Sequence, residues 1–162
     1  MAELKIRPYK EEDLEYIDEC TRTIYSDEYG FNDRYVSELI SGIHEFAPTQ
    51  AKYRENFWVA ELEGELVGMI ALQSTYDPEM GRISFLAVPK RMRRRGIGKY
   101  LMEVAESSAK NYEYTHLVLN VPSTLRPAMT FFIKRRYNLL KTEERDDWRD
   151  NTVLDETWGK KI

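Results

Sequence analysis

Residues that carry metal and redox chemistry are scarce in this chain. One of its 162 residues is a cysteine, Cys20, and two are histidines, His44 and His116. A lone cysteine excludes an internal disulfide, and three such scattered ligands do not make a His/Cys metal site. Long apolar runs are missing as well, since no stretch approaches the roughly 20 residues of a membrane span. The opening MAELKIRPYKEEDLEYI has neither the charged head nor the apolar middle of a secretory signal, so a cytoplasmic location is expected. Glycine and proline, 8 and 6 in number, never gather into a linker, and no internal repeat or low-complexity segment interrupts the chain. One domain over 1–162 is expected, long enough to bury a core unaided. An overall positive charge is also lacking. The formal net charge is −4, whereas a nucleic-acid binder usually carries a broad basic face. Neither nucleic acid nor membrane is an expected partner.

What is present is local. Six of the ten residues 90–99 are basic, in VPKRMRRRGIGKYL. A solvated charge run is the default reading of such a cluster, so its surroundings have to decide. ELKIRPY reads as a strand. KEEDLEYIDECTRTIY sets Leu14, Ile17 and Ile24 near one helical face, and NDRYVSELISGIHEF does the same with Val36, Leu39, Ile40 and Ile43 behind Asn32 as N-cap. NFWVAELEGELVGMIALQST holds two strand-like runs joined at Glu63-Gly64, a hairpin signal. YDPEMG is turn chemistry, punctuated by Pro78 and Gly81, and RISFLAV is a further strand. Helical spacing returns over 96–110. THLVLNV is a strand buried on both faces, Pro127 opens a helix running to about Arg136, and YNLLKTE and NTVLDETW are strands around the polar turn ERDDWRDN. The fold class expected is α+β, built on a mixed sheet.

The basic run therefore lies between a strand and a helix, with Gly96-Ile97-Gly98 at the junction. A helix start presents unpaired amides and about half a positive charge. Glycines there let a phosphate approach the backbone, and the neighbouring arginines add attraction. The arrangement suits a pyrophosphate. A Walker loop is excluded by Arg93 and Tyr100, which stand where a glycine and a Ser or Thr are needed. A dinucleotide fingerprint is excluded by Leu101 in place of its third glycine. Arg93-Arg94-Arg95-Gly96-Ile97-Gly98, after LAVPK and before KYLMEVAE, instead resembles motif A of the GNAT acyl-CoA N-acyltransferases. The order of elements along nearly the whole chain is similar to that family too. More narrowly, IYSDEYGFNDRYVSEL, WVAELEGELVG and the terminal ETW are similar to the acetyltransferase half found fused to MarR-type regulators, here without the regulator.

The resemblance implies a GNAT-like, mostly antiparallel sheet of six to seven strands flanked by about four helices. It implies acetyl-CoA as cosubstrate, no metal, and direct attack by a primary amine in a ternary complex. The pyrophosphate would lie on Arg93, Arg94, Arg95, Gly96, Ile97, Gly98 and Lys99. Leu86, Ala87 and Val88 would pair with the pantetheine arm, and the Val88 N–H would serve the oxyanion. The family's usual base, a glutamate early in the loop-bearing strand, is Arg82 here, and its last-helix tyrosine is Phe132. An amine with a pKa of about 10.4 is neutral in fewer than roughly one molecule in a thousand at pH 7, so a base is needed. Glu28, in SDEYGF between the first two helices, is the first candidate and Glu79 the second. Tyr25, Tyr29 and Phe31 form a candidate aromatic wall. Trp58, Trp158, Phe132 and Cys20 are read as packing residues, and the two histidines as structural. A catalytically weak acyl-CoA-binding module is the alternative. Which small amine or protein amine serves as acceptor, and whether the chain is a homodimer, stay open.

Overall fold

The computed structural model describes residues 3–50 and 52–162. Its elements begin where local chemistry starts and stops them. Glu63 and Gly64 both take left-handed backbone, at φ 53° and 79°, and so close β2 (Asn56–Leu62) onto β3 (Glu65–Ser74) in a two-residue turn. Asn32 caps α2 (Asp33–Phe46), its side chain accepting from the Tyr35 N–H at 2.9 Å. Pro127 sits in the first turn of α4 (Arg126–Lys134). Helix α1 (Leu14–Arg22) does not stop at Arg22 but widens into a π-helical segment, Thr23–Glu28. Such an inserted residue swings later side chains off the α-helical period.

Among the described residues seven strands form one sheet in the order β1-β2-β3-β4-β5-β7-β6, with β1 at Leu4–Pro8, β4 at Met80–Ala87, β5 at His116–Pro122, β6 at Asn138–Arg145 and β7 at Val153–Lys161. Every neighbouring pair is antiparallel except β4 and β5. The four α-helices, including α3 (Ile97–Asn111), cover both faces. Along β5, Leu117, Leu119 and Val121 face a core built with α3 and α4, and on β2 and β3 Phe57, Val59 and Met69 face a second core with α1 and α2. Trp58, Trp158 and Phe132 are core residues as expected. Buried Cys20 packs with α2 in the second core, and desolvation pushes its thiol up to about 11. Gly81 does not punctuate the turn. It lies inside β4, where a Cβ would come within 3.1 Å of Leu117 and Tyr114, so close packing and not turn geometry demands glycine. Among the described residues no helix is long and apolar enough to cross a membrane.

The sheet departs from regularity at two places along β4. Phe85 and Leu86 together oppose Ile70, because the register runs from Met69↔Ala87 to Ala71↔Ser84. That is a β-bulge, and Phe85 carries it with φ at 56°, a strained value for a bulky residue. Its ring is seated between Phe46 and Phe57, 6.3 and 6.2 Å away, and this packing holds the strain in place. The second departure lies on the β5 side of the same strand. Pairing between β4 and β5 covers only Met80↔His116, Gly81↔Leu117 and Arg82↔Val118. Beyond Arg82 the two parallel strands part, leaving a fork at their C-terminal ends, where open α/β sheets bind ligands.

Candidate active site

One lip of the fork leads from β4 through Val88 into the basic loop and α3. Arg94 and Gly96 take left-handed backbone, at φ 66° and 81°, which folds the loop back under the helix start. The first α3 amide to find a helical carbonyl is that of Tyr100, on Gly96 O at 3.0 Å. The amides ahead of it, of Ile97, Gly98 and Lys99, have no helical acceptor. Ile97 is buried in the α3 core and pins the turn, while Arg94, Arg95 and Lys99 are exposed. A Cβ on Gly98 would meet Phe131 at 3.7 Å and Val88 at 4.0 Å, ordinary contacts, so the packing of the protein does not require glycine there. Unpaired amides at a helix start, with basic side chains around them, can take an anion.

The other side of the fork opens, between the sheet and α1–α2, into a cavity of about 290 Å³. Arg82 and Ser84 of β4 and Asn120 of β5 form its floor, and Ala87 borders it from the end of β4. Tyr25, Tyr35, Phe85 and Trp148 are its aromatic walls. A polar chain crosses the floor. Arg82 Nη1 donates to Asn120 Oδ1, and Asn120 Nδ2 donates to Asp155 Oδ1 at 3.1 Å and to Thr157 Oγ1 at 3.0 Å. Desolvation pushes the Tyr25 hydroxyl up to about 12. It raises Tyr35 further, with Tyr25 and Asp155 adding to the effect, so both phenols stay neutral. Trp148 comes from the loop between β6 and β7. That loop is tied to the α2 cap by Asn32 N–H to Trp148 O at 2.8 Å, by the Asn32 side-chain amide to Asp147 O at 2.7 Å, and to Tyr29 O by Arg149 at 2.9 Å.

The expected catalytic carboxylate lies elsewhere. Glu28, last residue of the π-helical segment, gives both oxygens to Arg93, at 2.5 and 2.9 Å, and does not line the cavity. Arg93 Nε also donates to Val88 O at 3.0 Å. Its guanidinium pKa is raised by the bonds to Glu28, which outweigh its desolvation. Arg93 therefore braces the loop and is not free for a phosphate, while Glu28 lacks the free carboxylate expected of a base. Glu79 sits in the exposed turn before β4. Of the expected wall, Tyr25 lines the cavity, Phe31 is buried behind it against Tyr35, and Tyr29 lies by Glu28 and Arg93. His44 is on the surface with Asp18, and His116 with Thr115. Sequence reasoning missed Tyr35, Asn120, Trp148 and Asp155.

Known proteins resemble this chain in sequence and in fold. Over 135 residues the chain is 30% identical to an uncharacterized N-acetyltransferase of Methanocaldococcus jannaschii, covering 82% of this chain and 76% of that one. It spans only 35 to 38% of the length of the vertebrate N-acetyltransferases that it matches over shorter stretches. Among solved structures, a GNAT-family acetyltransferase of Streptococcus pneumoniae superposes with a TM-score of 0.80 at 20% identity, over 99% of this chain and 100% of that one. The PaiA N-acetyltransferase of Thermoplasma acidophilum, solved in complex with coenzyme A, gives 0.75 at 21% identity, over 99% of each chain. The characteristic pattern of the Acetyltransferase (GNAT) family matches residues 14–136, and the chain belongs to that family.

Proposed function

We propose that this chain transfers an acetyl group from acetyl-CoA to a primary amine by direct attack in a ternary complex. The observation that carries this reading is the fork itself: a basic, glycine-flanked helix start at one side and an aromatic-walled cavity at the other, beside the point where β4 and β5 part. The amides of Ile97, Gly98 and Lys99, with the side chains of Arg94, Arg95 and Lys99, would take the pyrophosphate. Leu86, Ala87 and Val88 would offer backbone groups to the pantetheine arm. The Val88 N–H would face the developing oxyanion, and its peptide neighbourhood is fixed by the Arg93 bond to Val88 O. Glu28 would act through Arg93, holding the loop in register, as a positioning residue. The narrower kinship with acetyltransferase halves of MarR-type fusions rests on the segments IYSDEYGFNDRYVSEL, WVAELEGELVG and ETW.

One observation favours a second reading, binding of acyl-CoA with little turnover: the family's two usual proton-transfer positions hold Arg82, bonded into the cavity floor, and Phe132, buried in the core. Calorimetric titration with acetyl-CoA and thiol release with a panel of amines test both. One acetyl-CoA per chain with amine-dependent thiol release is expected. Binding without release selects the second reading, and no binding at saturating acetyl-CoA overturns both.

A further inference from the structure

The cavity carries one positive and one negative side chain among its described lining residues, Arg82 and Asp155, and Asn120 stands between them. We infer that the acceptor is a free α-amino acid with a bulky apolar side chain, its carboxylate on Arg82 and its amino group on Asp155. This rests on the acetyltransferase reading and names its substrate class. A plain amine would use only the carboxylate and be repelled by the guanidinium. A peptide amine or a lysine side chain has no neighbouring carboxylate, so it would bury the Arg82 guanidinium with Asn120 but without a counter-ion. A zwitterion has both charges on one carbon and satisfies both ends of the floor. The bonded Asn120 holds the two unlike groups apart, so that neither neutralises the other. Apart from the hydroxyls of Thr21 and Ser84, the remaining lining is apolar or aromatic, with Tyr25, Tyr35, Phe85 and Trp148 beside Leu39 and Ile43. A volume of about 290 Å³ is near the small end for a ligand site, enough for one amino acid.

The reaction balances at this position. Asp155 accepts one proton from the ammonium and passes it to solvent. The freed nitrogen lone pair forms the C–N bond at the thioester carbonyl. The C–S bond then breaks with its electron pair on sulfur, and the second proton lost by nitrogen ends on that sulfur, giving N-acetyl amino acid and the free thiol. Asp155 thereby takes the base's role, which Arg82 cannot fill.

The test compares initial rates of thiol release for L-phenylalanine and L-leucine with 2-phenylethylamine and isoamylamine, the same side chains without the carboxylate. The acids are expected to show kcat/KM at least tenfold above the amines. Arg82→Gln should collapse that ratio towards one by raising KM for the acids, and Arg82→Lys should restore part of it. Equal or reversed preference in the wild-type protein overturns the inference without any variant, as does an Arg82→Gln protein that loses acids and amines alike. Acetyl-CoA titration run alongside separates the two failures. Binding with amine turnover but no preference for acids sinks only the acceptor class, and absence of binding sinks the acetyltransferase reading with it.

Discussion

Replacing Gly98 by glutamate should make the free protein more stable and blind to acetyl-CoA. Gly98 is the second residue of α3, does not use left-handed backbone, and a Cβ there meets only ordinary contacts with Phe131 and Val88. An ordinary residue in place of glycine in a helix gains about 0.5–1 kcal/mol. A carboxylate in the first turn gains about 0.3–1 kcal/mol from the helix dipole. Together these give about 1–2 kcal/mol, a rise in Tm of about 2–8 °C for a chain of this size. The same carboxylate stands where the phosphate would sit. At about 4 Å and an effective dielectric constant of about 20, each phosphate charge is opposed by about 4 kcal/mol, roughly a thousandfold in Kd. Thermal unfolding with and without acetyl-CoA reads both effects. At a hundred times Kd the wild-type protein gains about 2.7 kcal/mol, about 5–10 °C, and the variant should gain nothing. A variant that melts several degrees below wild type would mean that α3 does not begin as described. One that keeps the ligand shift would remove the loop as the pyrophosphate seat.

Glu28→Gln should raise KM for acetyl-CoA several-fold with little change in kcat, because it loosens Arg93 and the loop. A fall in kcat at unchanged KM would restore Glu28 as the base. Gly81→Ala should lower Tm by about 2–12 °C in scanning calorimetry, since its Cβ would crowd Leu117 and Tyr114 at a cost of about 1–3 kcal/mol; an unchanged Tm would refute the close packing. Buried Glu106 is disfavoured as an anion by desolvation, yet its bonds from Arg135, Tyr137 and Lys160 win and hold its pKa below the usual range. Its contribution to stability is therefore complete above the unfolded value of about 4.3 and is lost as pH falls from there through the folded value. Glu106→Gln should be less stable at pH 7 and lose stability less steeply below about pH 4.5 in acid-denaturation curves; an unchanged slope would contradict the network.

What the sequence disclosed was encoded within a few neighbouring residues. Glu63-Gly64 specifies its hairpin turn, Asn32 its helix cap, and Gly96-Ile97-Gly98 its helix start, each through backbone chemistry that needs no distant partner. The cavity floor was hidden because Arg82, Asn120 and Asp155 come from three strands. Each alone reads as a polar residue on a strand, and only the register that sets Asn120 against Thr157 and Pro122 against Asp155 brings them into one row. The bulge at Phe85 leaves no sequence mark, since a bulky residue is an unusual choice for positive φ. Glu28 was located correctly between the first two helices. Its partner was not visible, because the π-helical turn re-aims it towards a loop 65 residues away.

The ties from Asn32 and Arg149 have a consequence for engineering. Trp148 reaches the cavity on a segment clamped to residues more than a hundred positions earlier in the chain. Grafting the 146–151 segment from another protein, without the residue at 32, would transplant a wall and leave its hinge pins behind. Libraries aimed at new acceptors should therefore diversify both ends of the clasp together.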